Sequence, residues 1–419
     1  MGNGQKLIIL SMDALVREDV EYLKTKPVFG AFLRGAAEVG HVKSIYPTLT
    51  YPCHATMATG CWPKKHGVLS NTAFDPGNPD PNWNWYHDVY RVPDVIDRAK
   101  EAGKTTAVVG WPSMALHPNV DYLVAEIAGT KAKTEEEFHA QYLETGTPEA
   151  LWEEVCESEI HFRTEKGDVH LFNTHVAANI IRRHAPDLML AHFKHPDGMR
   201  HQYGVFAPEV KKGLDTCEET LRVILEAVRE SGAEECTNVV VTADHGQMNV
   251  KRTANVNVLF SNFGFAETDA DGKLVSWRAW SHSTGMTTRV FVKDPADEPN
   301  VRELLESFLG MGYSRIMTRE ETAIEGYDGP FSFMLDGDGV TGFSDKWTGP
   351  YFTKPSKPGN HGYHPDLGPR PVIIAKGPAF RPGAYLPDAR LIDGAPTWAK
   401  VLGFDLPDAD GKALTELLA

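Results

Sequence analysis

Three carboxylates and three imidazoles occur in company that suggests one cation-binding centre. In Pro196-Asp197-Gly198-Met199-Arg200-His201 the acid and the imidazole are four residues apart. On a helix that spacing puts both side chains on one face, within reach of one cation. Ala243-Asp244-His245-Gly246 places two more donors in the loop after an apolar run. Asn360-His361-Gly362-Tyr363-His364 adds a third imidazole between small residues, which predicts a flexible loop. Asp13 closes the apolar run Leu7–Met12. Oxygen and nitrogen donors without a thiolate suit zinc, with manganese as the alternative. Each piece alone has a plainer reading, as a turn cap or a solvated helix face. The combination carries the inference.

A nucleophile is available in Tyr46-Pro47-Thr48-Leu49-Thr50-Tyr51-Pro52-Cys53-His54. Thr50 stands just ahead of a predicted helix over Pro52–Gly60, whose positive end favours an incoming phosphate and a developing alkoxide. The plainer reading makes Thr50 an N-cap. Metal coordination would lower the pKa of its hydroxyl and make it a competent nucleophile. His54, His66, His192, His195 and His364 read as structural groups or as supporters of the ligands. Cys53 reads as a packing thiol. Trp83-Asn84-Trp85-Tyr86 reads as core cover rather than a ring-binding wall.

These residues need a scaffold. Leu7–Met12, Ala37–Ile45, Thr105–Gly110, Asp187–Phe193, Asn238–Asp244 and Pro371–Lys376 read as strands. Helical segments over Arg17–Lys24, Pro93–Ala102, Leu171–His184, Pro208–Ser231 and Pro396–Gly403 alternate with them. Continuous apolar strands alternating with helices predict an α/β fold with a mostly parallel sheet covered on both faces. The site then lies beyond the carboxyl ends of the strands, where Asp13, Asp197 and Asp244 fall. Leu116–Lys166 reads as helical and polar. Residues 251–357, rich in Gly, Asp and aromatics and including a strand over Arg289–Lys293 and a helix over Val301–Leu309, read as an insertion or lid. The catalytic core is then 1–250 and 358–419.

Composition narrows the function class. Among 419 residues, Lys and Arg number 42 against 57 Asp and Glu, a net charge of −15. So acidic a chain is a poor binder of nucleic-acid polymers. A small anionic substrate stays open, because bound metal inverts the local field. The five cysteines include no CxxC pair, which fits reduced thiols and a cytoplasmic location. No apolar run approaches membrane-spanning length. Lys6 breaks the myristoylation pattern, and Asp13 makes Leu7–Met12 a poor signal-peptide core. The sequence sets no oligomeric state.

The ordered motifs closely resemble the nucleotide pyrophosphatase/phosphodiesterase family of the alkaline phosphatase superfamily. They are Asp13, Pro47–His54, Thr59-Gly60-Cys61-Trp62-Pro63, His66–Asn71, Trp111-Pro112-Ser113, Pro196-Asp197 with His201, Ala243–Gly246, His361-Gly362-Tyr363 and Leu391-Ile392-Asp393. The resemblance implies an alkaline-phosphatase-like α/β/α sandwich with an inserted smaller subdomain. It implies two zinc ions per chain, one on Asp13, Thr50, Asp244 and His245, the other on Asp197, His201 and His361. Asn71 matches the family's Asn that binds a non-bridging phosphoryl oxygen. Ala14 stands where the family usually has Gly, and Cys53 where it has Asn. The implied reaction is hydrolysis of a small phosphodiester or nucleotide-like phosphoanhydride through a phospho-threonine on Thr50. A phosphonoacetate-hydrolase-like C–P bond hydrolase is the alternative, and a catalytically silent metal-binding protein the lesser one. Neutral Asn71, with no paired phosphate-binding arginines evident, predicts preference for diesters over monoesters.

Overall fold

Strand β1, Lys6–Met12, sends Leu7 and Ile9 to one face of a sheet and Ile8, Leu10 and Met12 to the other, and all five are buried. A strand buried on both faces can only be central. In the computed structural model, which describes residues 4–419, β1 is flanked on both sides by parallel neighbours. Further strands are β2 (Ala37–Lys43), β3 (Thr106–Val109), β4 (Tyr122–Val124), β5 (Leu188–Phe193) and β6 (Thr237–Thr242). With Ile373–Lys376 and Tyr385–Arg390 they form an eight-stranded sheet in the order Tyr385–Arg390, β2, Ile373–Lys376, β6, β1, β5, β3, β4. Every pairing is parallel except those of Ile373–Lys376, which runs against both neighbours. The N-terminal acylation reading falls partly on Met1, Gly2 and Asn3, outside the described residues.

Helices cover both faces, giving three layers. Val169–His184 and Val210–Glu230 pack Phe172, Val176, Leu214 and Leu221 against the face holding Ile8 and Leu10. Thr50–Thr59, Val95–Glu101 and Gly394–Leu402 place Met57, Val95 and Trp398 on the face of Leu7 and Ile9. The exact caps differ by a residue or two from those read in the sequence. Two edge strands lay outside that reading. Tyr385–Arg390 is mostly exposed and contains Pro387, as an edge tolerates. Tyr122–Val124 is three residues long and interrupts the stretch expected to be helical.

The order β6-β1-β5 explains why the acids converge. These three strands are adjacent and parallel, so their carboxyl ends share one edge. Asp13, Asp197 and Asp244 follow β1, β5 and β6 there. Backbone contacts lock the three exits: Asp197 N donates to Asp13 O at 2.9 Å, and Ala14 N donates to Asp244 Oδ1 at 3.1 Å.

Between residues 251 and 357 lies a separate four-stranded antiparallel sheet, in the order Ala279–Ser283, Thr287–Val292, Phe333–Gly337, Tyr313–Thr318. It has its own core around Phe260, Trp280, Val290, Leu305 and Leu335. The turn between its first two strands grips the chain at His361. Met286 N donates to His361 O at 2.9 Å, and Thr287 Oγ1 donates to Gly362 O at 2.7 Å. Gly285 and Gly362 both have positive φ, and a methyl on either would meet backbone at 2.2 and 1.7 Å. The expected flexible loop is therefore a clamped one. No helix among the described residues is long and apolar enough to cross a membrane.

Candidate active site

At the shared strand edge, ligand atoms of Asp13, Asp244 and His245 lie within 4.8 Å of one another, as do those of Asp197, His245 and His361. His245 sits between the two groups. Its Nε2 is 3.1 Å from Asp244 Oδ2 and 3.1 Å from Thr50 Oγ1. His201 joins the second group through Nε2, 3.3 Å from Asp197 Oδ1. All seven residues read as metal-site positions therefore meet in one place.

The three imidazoles share one orientation. Nδ1 of His201 donates to Gly359 O at 2.8 Å, Nδ1 of His245 to Gly246 O at 3.2 Å, and Nδ1 of His361 to Thr48 O at 3.1 Å. A carbonyl can only accept, so each Nδ1 carries the proton and each neutral ring turns a bare Nε2 lone pair inward. Burial holds all three imidazoles below the usual histidine range. The same lone pairs face carboxylates, and Asp13 Oδ1 and Asp244 Oδ2 are buried without a hydrogen-bond partner. Burial, then the other acids, raises Asp13 well above 3.8, and burial likewise raises Asp244. Lone pairs facing lone pairs in a dry pocket repel unless a cation lies between them. The donor set fits divalent metal.

Thr50 opens the helix Thr50–Thr59, and the N-cap is Leu49. Its hydroxyl faces His245 rather than a backbone N–H, so the capping alternative fails. Asn71 Oδ1 accepts Tyr51 N–H at 2.9 Å, which fixes the amide and leaves the Nδ2 hydrogens for the pocket. Beneath the site, His54 donates from Nδ1 to Thr50 O at 2.8 Å and accepts Ser11 Oγ–H at Nε2, 2.9 Å away. His192 Nδ1 donates to Gly110 O, and its Nε2 lies 3.1 Å from Asp13 Oδ2. Gln247 donates from Nε2 to Asp197 Oδ1. His54 and His192 are the supporters expected. Gln247 had no signal beyond standing three residues after Asp244.

A cavity of about 550 Å³ opens over these groups. Trp83 lines it beside Tyr51 and, with Trp85, also covers the small core of Tyr51, Ala55 and Val68 as expected, whereas Trp85 is turned away from the cavity and bonds Ala128 O. Glu126, Arg163, Lys194 and Lys357 also reach it. The sequence did not mark these four, because the pocket alone brings such distant positions together.

A family model for type I phosphodiesterase / nucleotide pyrophosphatase matches residues 7–309. The chain belongs to that family. It is 22% identical over 268 residues to venom phosphodiesterase 2 of Crotalus adamanteus, covering 62% of this chain and 29% of the relative. Human bis(5'-adenosyl)-triphosphatase is 21% identical over 418 residues, 95% of this chain and 78% of that one. Thus the chain spans less than a third of the venom enzyme's length. Human ectonucleotide pyrophosphatase/phosphodiesterase 5 superposes with a TM-score of 0.70 at 17% identity, covering 99% of this chain and all of the other. An inactive murine form of that protein in complex with AMP gives 0.67 at 17% identity, with the same coverage. The fold is alkaline-phosphatase-like.

Two positions where the resemblance implies other residues can be read in the structure. Ala14 keeps the left-handed backbone that glycine would supply, at φ 56°, and its N–H holds Asp244. A left-handed alanine costs roughly 1–2 kcal/mol, which the buried loop absorbs. Cys53 is buried against Ser44 Oγ at 3.4 Å, and burial raises its thiol well above 9.0, as a packing thiol requires.

Proposed function

We propose that this chain is a two-metal phosphodiesterase or nucleotide pyrophosphatase that attacks phosphorus with Thr50. The observation that carries the reading is the Thr50 hydroxyl, set 3.1 Å from His245 Nε2 among inward lone pairs and orphaned carboxylate oxygens. Asp13, Asp244, His245 and Thr50 would hold one ion, and Asp197, His201 and His361 the other. Zinc suits these donors. Such ions supply Lewis acidity that favours the threonine alkoxide and neutralises charge on the oxygens of phosphorus.

The chain's own residues do the rest. The Thr50–Thr59 helix aims its N-terminus at the cavity and presents the nucleophile there. Thr50 Oγ forms a bond to phosphorus as the bond to the leaving oxygen breaks, giving a phospho-threonine. Water then cleaves that ester and restores Thr50. Asn71 Nδ2, fixed by the Tyr51 N–H, donates to a non-bridging oxygen in both steps. The family assignment and the AMP held by the murine neighbour support a nucleotide-like substrate. Turnover of bis(4-nitrophenyl) phosphate and of phosphonoacetate by the zinc-loaded chain separates the two hydrolase readings. Cleavage of the diester is expected. Cleavage of phosphonoacetate alone would favour the C–P alternative, and turnover of neither would leave a metal-binding protein.

A further inference from the structure

Arg163 stands on the wall of the cavity that holds Thr50, Tyr51 and Asn71. It is half-buried in the short helix His161–Thr164, and aromatic rings pin it. Its guanidinium lies 4.6 Å over Phe138 and 5.8 Å from Phe172, and Nη1 donates to Tyr142 Oη at 3.0 Å. That bond uses one of five N–H groups. Among the described residues Arg163 forms no ion pair, and neither Nε nor Nη2 has a protein acceptor. Arg98, Arg182, Arg222 and Arg278 are each paired with an acid, and of the arginines among the described residues only Arg163 lines the cavity. Glu126 is near enough for its charge to feel Arg163, but its Oε2 takes Tyr51 Oη–H and Ala128 N–H and it forms no ion pair with the guanidinium. A rigid, half-buried guanidinium with its fork unspent is built to receive an anion from outside the protein.

Position says which part of a substrate would reach it. Tyr51 follows Thr50 directly, its phenol runs to Glu126, and Arg163 lies beyond. Lys194 and Lys357 stand with the Asp197, His201 and His361 group. Lys194 crosses the backbone at Gly198, with Cε 2.9 Å from where a Cβ would stand, and Lys357 acts on Asp197, His201 and His361. In an in-line attack the leaving group points away from Thr50, toward the Asp197 side. The Tyr51–Trp83–Arg163 wall is left for the substituent that stays on phosphorus.

We propose that Arg163 recognises a second anionic group, a carboxylate or a phosphate, carried by the substituent retained on the attacked phosphorus. The proposal rests on the phosphodiesterase reading above.

The test uses three phosphodiesters with the same 4-nitrophenol leaving group, whose other substituent ends in a methyl, a carboxylate or a phosphate. The wild-type chain is expected to show a KM at least about tenfold lower for one or both acids than for the methyl compound, the size of a charge-assisted pair. Comparing the carboxylate and phosphate arms identifies the anion. In Arg163→Gln that advantage should fall below threefold, and Arg163→Lys, which keeps the charge but not the fork, should restore part of it. Calorimetric titration of Thr50→Ala with the same diesters should give the same order without turnover. Equal KM for all three in the wild type with equal affinity in Thr50→Ala, or an advantage that survives in a folded Arg163→Gln, would overturn the proposal. If no diester is hydrolysed, the catalytic reading falls, and the calorimetric order still decides the role of Arg163.

Discussion

Histidines that merely fill a core differ from those that await a ligand by which ring nitrogen is already spent. His201, His245 and His361 each spend Nδ1 on a carbonyl and aim Nε2 at acids. His117 does the reverse. It belongs to another close group, with His87, Asp94 and Asp97. Yet its Nδ1 accepts Asn119 N–H at 3.1 Å, so Nε2 carries the proton and donates to Asp94 Oδ2 at 3.2 Å. That nitrogen has no lone pair for a metal. Sequence spacing selected three imidazoles that the fold brings together, but it could not show this tautomer logic. Nor could it show Gln247, which steadies Asp197 from the loop after β6. Gln247→Leu removes that donor, and zinc affinity measured by calorimetry should fall about 10–100-fold. Unchanged affinity would make Gln247 a packing residue. For Asn71→Ala, loss of one preorganised donor should lower kcat on a chromogenic diester about 10²–10³-fold. A change confined to KM would mean that Asn71 binds the ground state only.

Elements place these residues, and two of them can be tested directly. The stretch Asn360–His364 read as flexible in sequence because small residues flank His361. The reason for glycine is the opposite: Gly362, at φ 86°, lies where a Cβ would stand 1.7 Å from Thr284 O. Gly362→Ala should therefore push the His361 backbone off the antiparallel turn. Metal analysis should show one ion lost per chain, and an unchanged content would refute the clamp. The second element is the helix Val95–Glu101, capped by Asp94, whose Oδ1 accepts Ile96 N–H and Asp97 N–H. Burial pushes the Asp94 carboxyl up, but hydrogen bonds from His117 and His87 outweigh it and hold it below 3.8. Burial pulls His117 down, but the hydrogen bond and charge of Asp94 raise it above 6.5. A lowered acid stabilises above 3.8 and fails as pH falls. A raised imidazole stabilises below 6.5 and fails as pH rises through its folded value. The difference in unfolding free energy between wild type and Asp94→Ala should thus peak between these values. Losing the cap and stranding the imidazole should cost about 2–4 kcal/mol there. A pH-independent difference would assign the loss to the cap alone.

Across the whole molecule, the alternation of apolar strands with amphipathic helices made the layered sheet legible. The seven candidate metal-site positions were legible too, through the ordered motifs that carry the family resemblance. What the sequence hid depends on distant residues meeting. The polar edge strand Tyr385–Arg390 carries no apolar run, and the antiparallel course of Ile373–Lys376 follows from connections rather than from its own residues. The cavity joins Trp83, Glu126, Arg163 and Lys357 across more than 270 positions. These parts converge on one hydroxyl. The most direct measurement is kcat/KM for bis(4-nitrophenyl) phosphate in zinc-loaded Thr50→Ala beside the wild type, with folding checked by thermal melting. Thr50 makes no capping bond, so the variant should fold with a loss of about 1 kcal/mol at most. Its kcat/KM should fall at least about 10³-fold, because the covalent route is gone, while Thr50→Ser keeps measurable turnover. A folded, zinc-loaded Thr50→Ala that hydrolyses the diester at the wild-type rate would contradict the account.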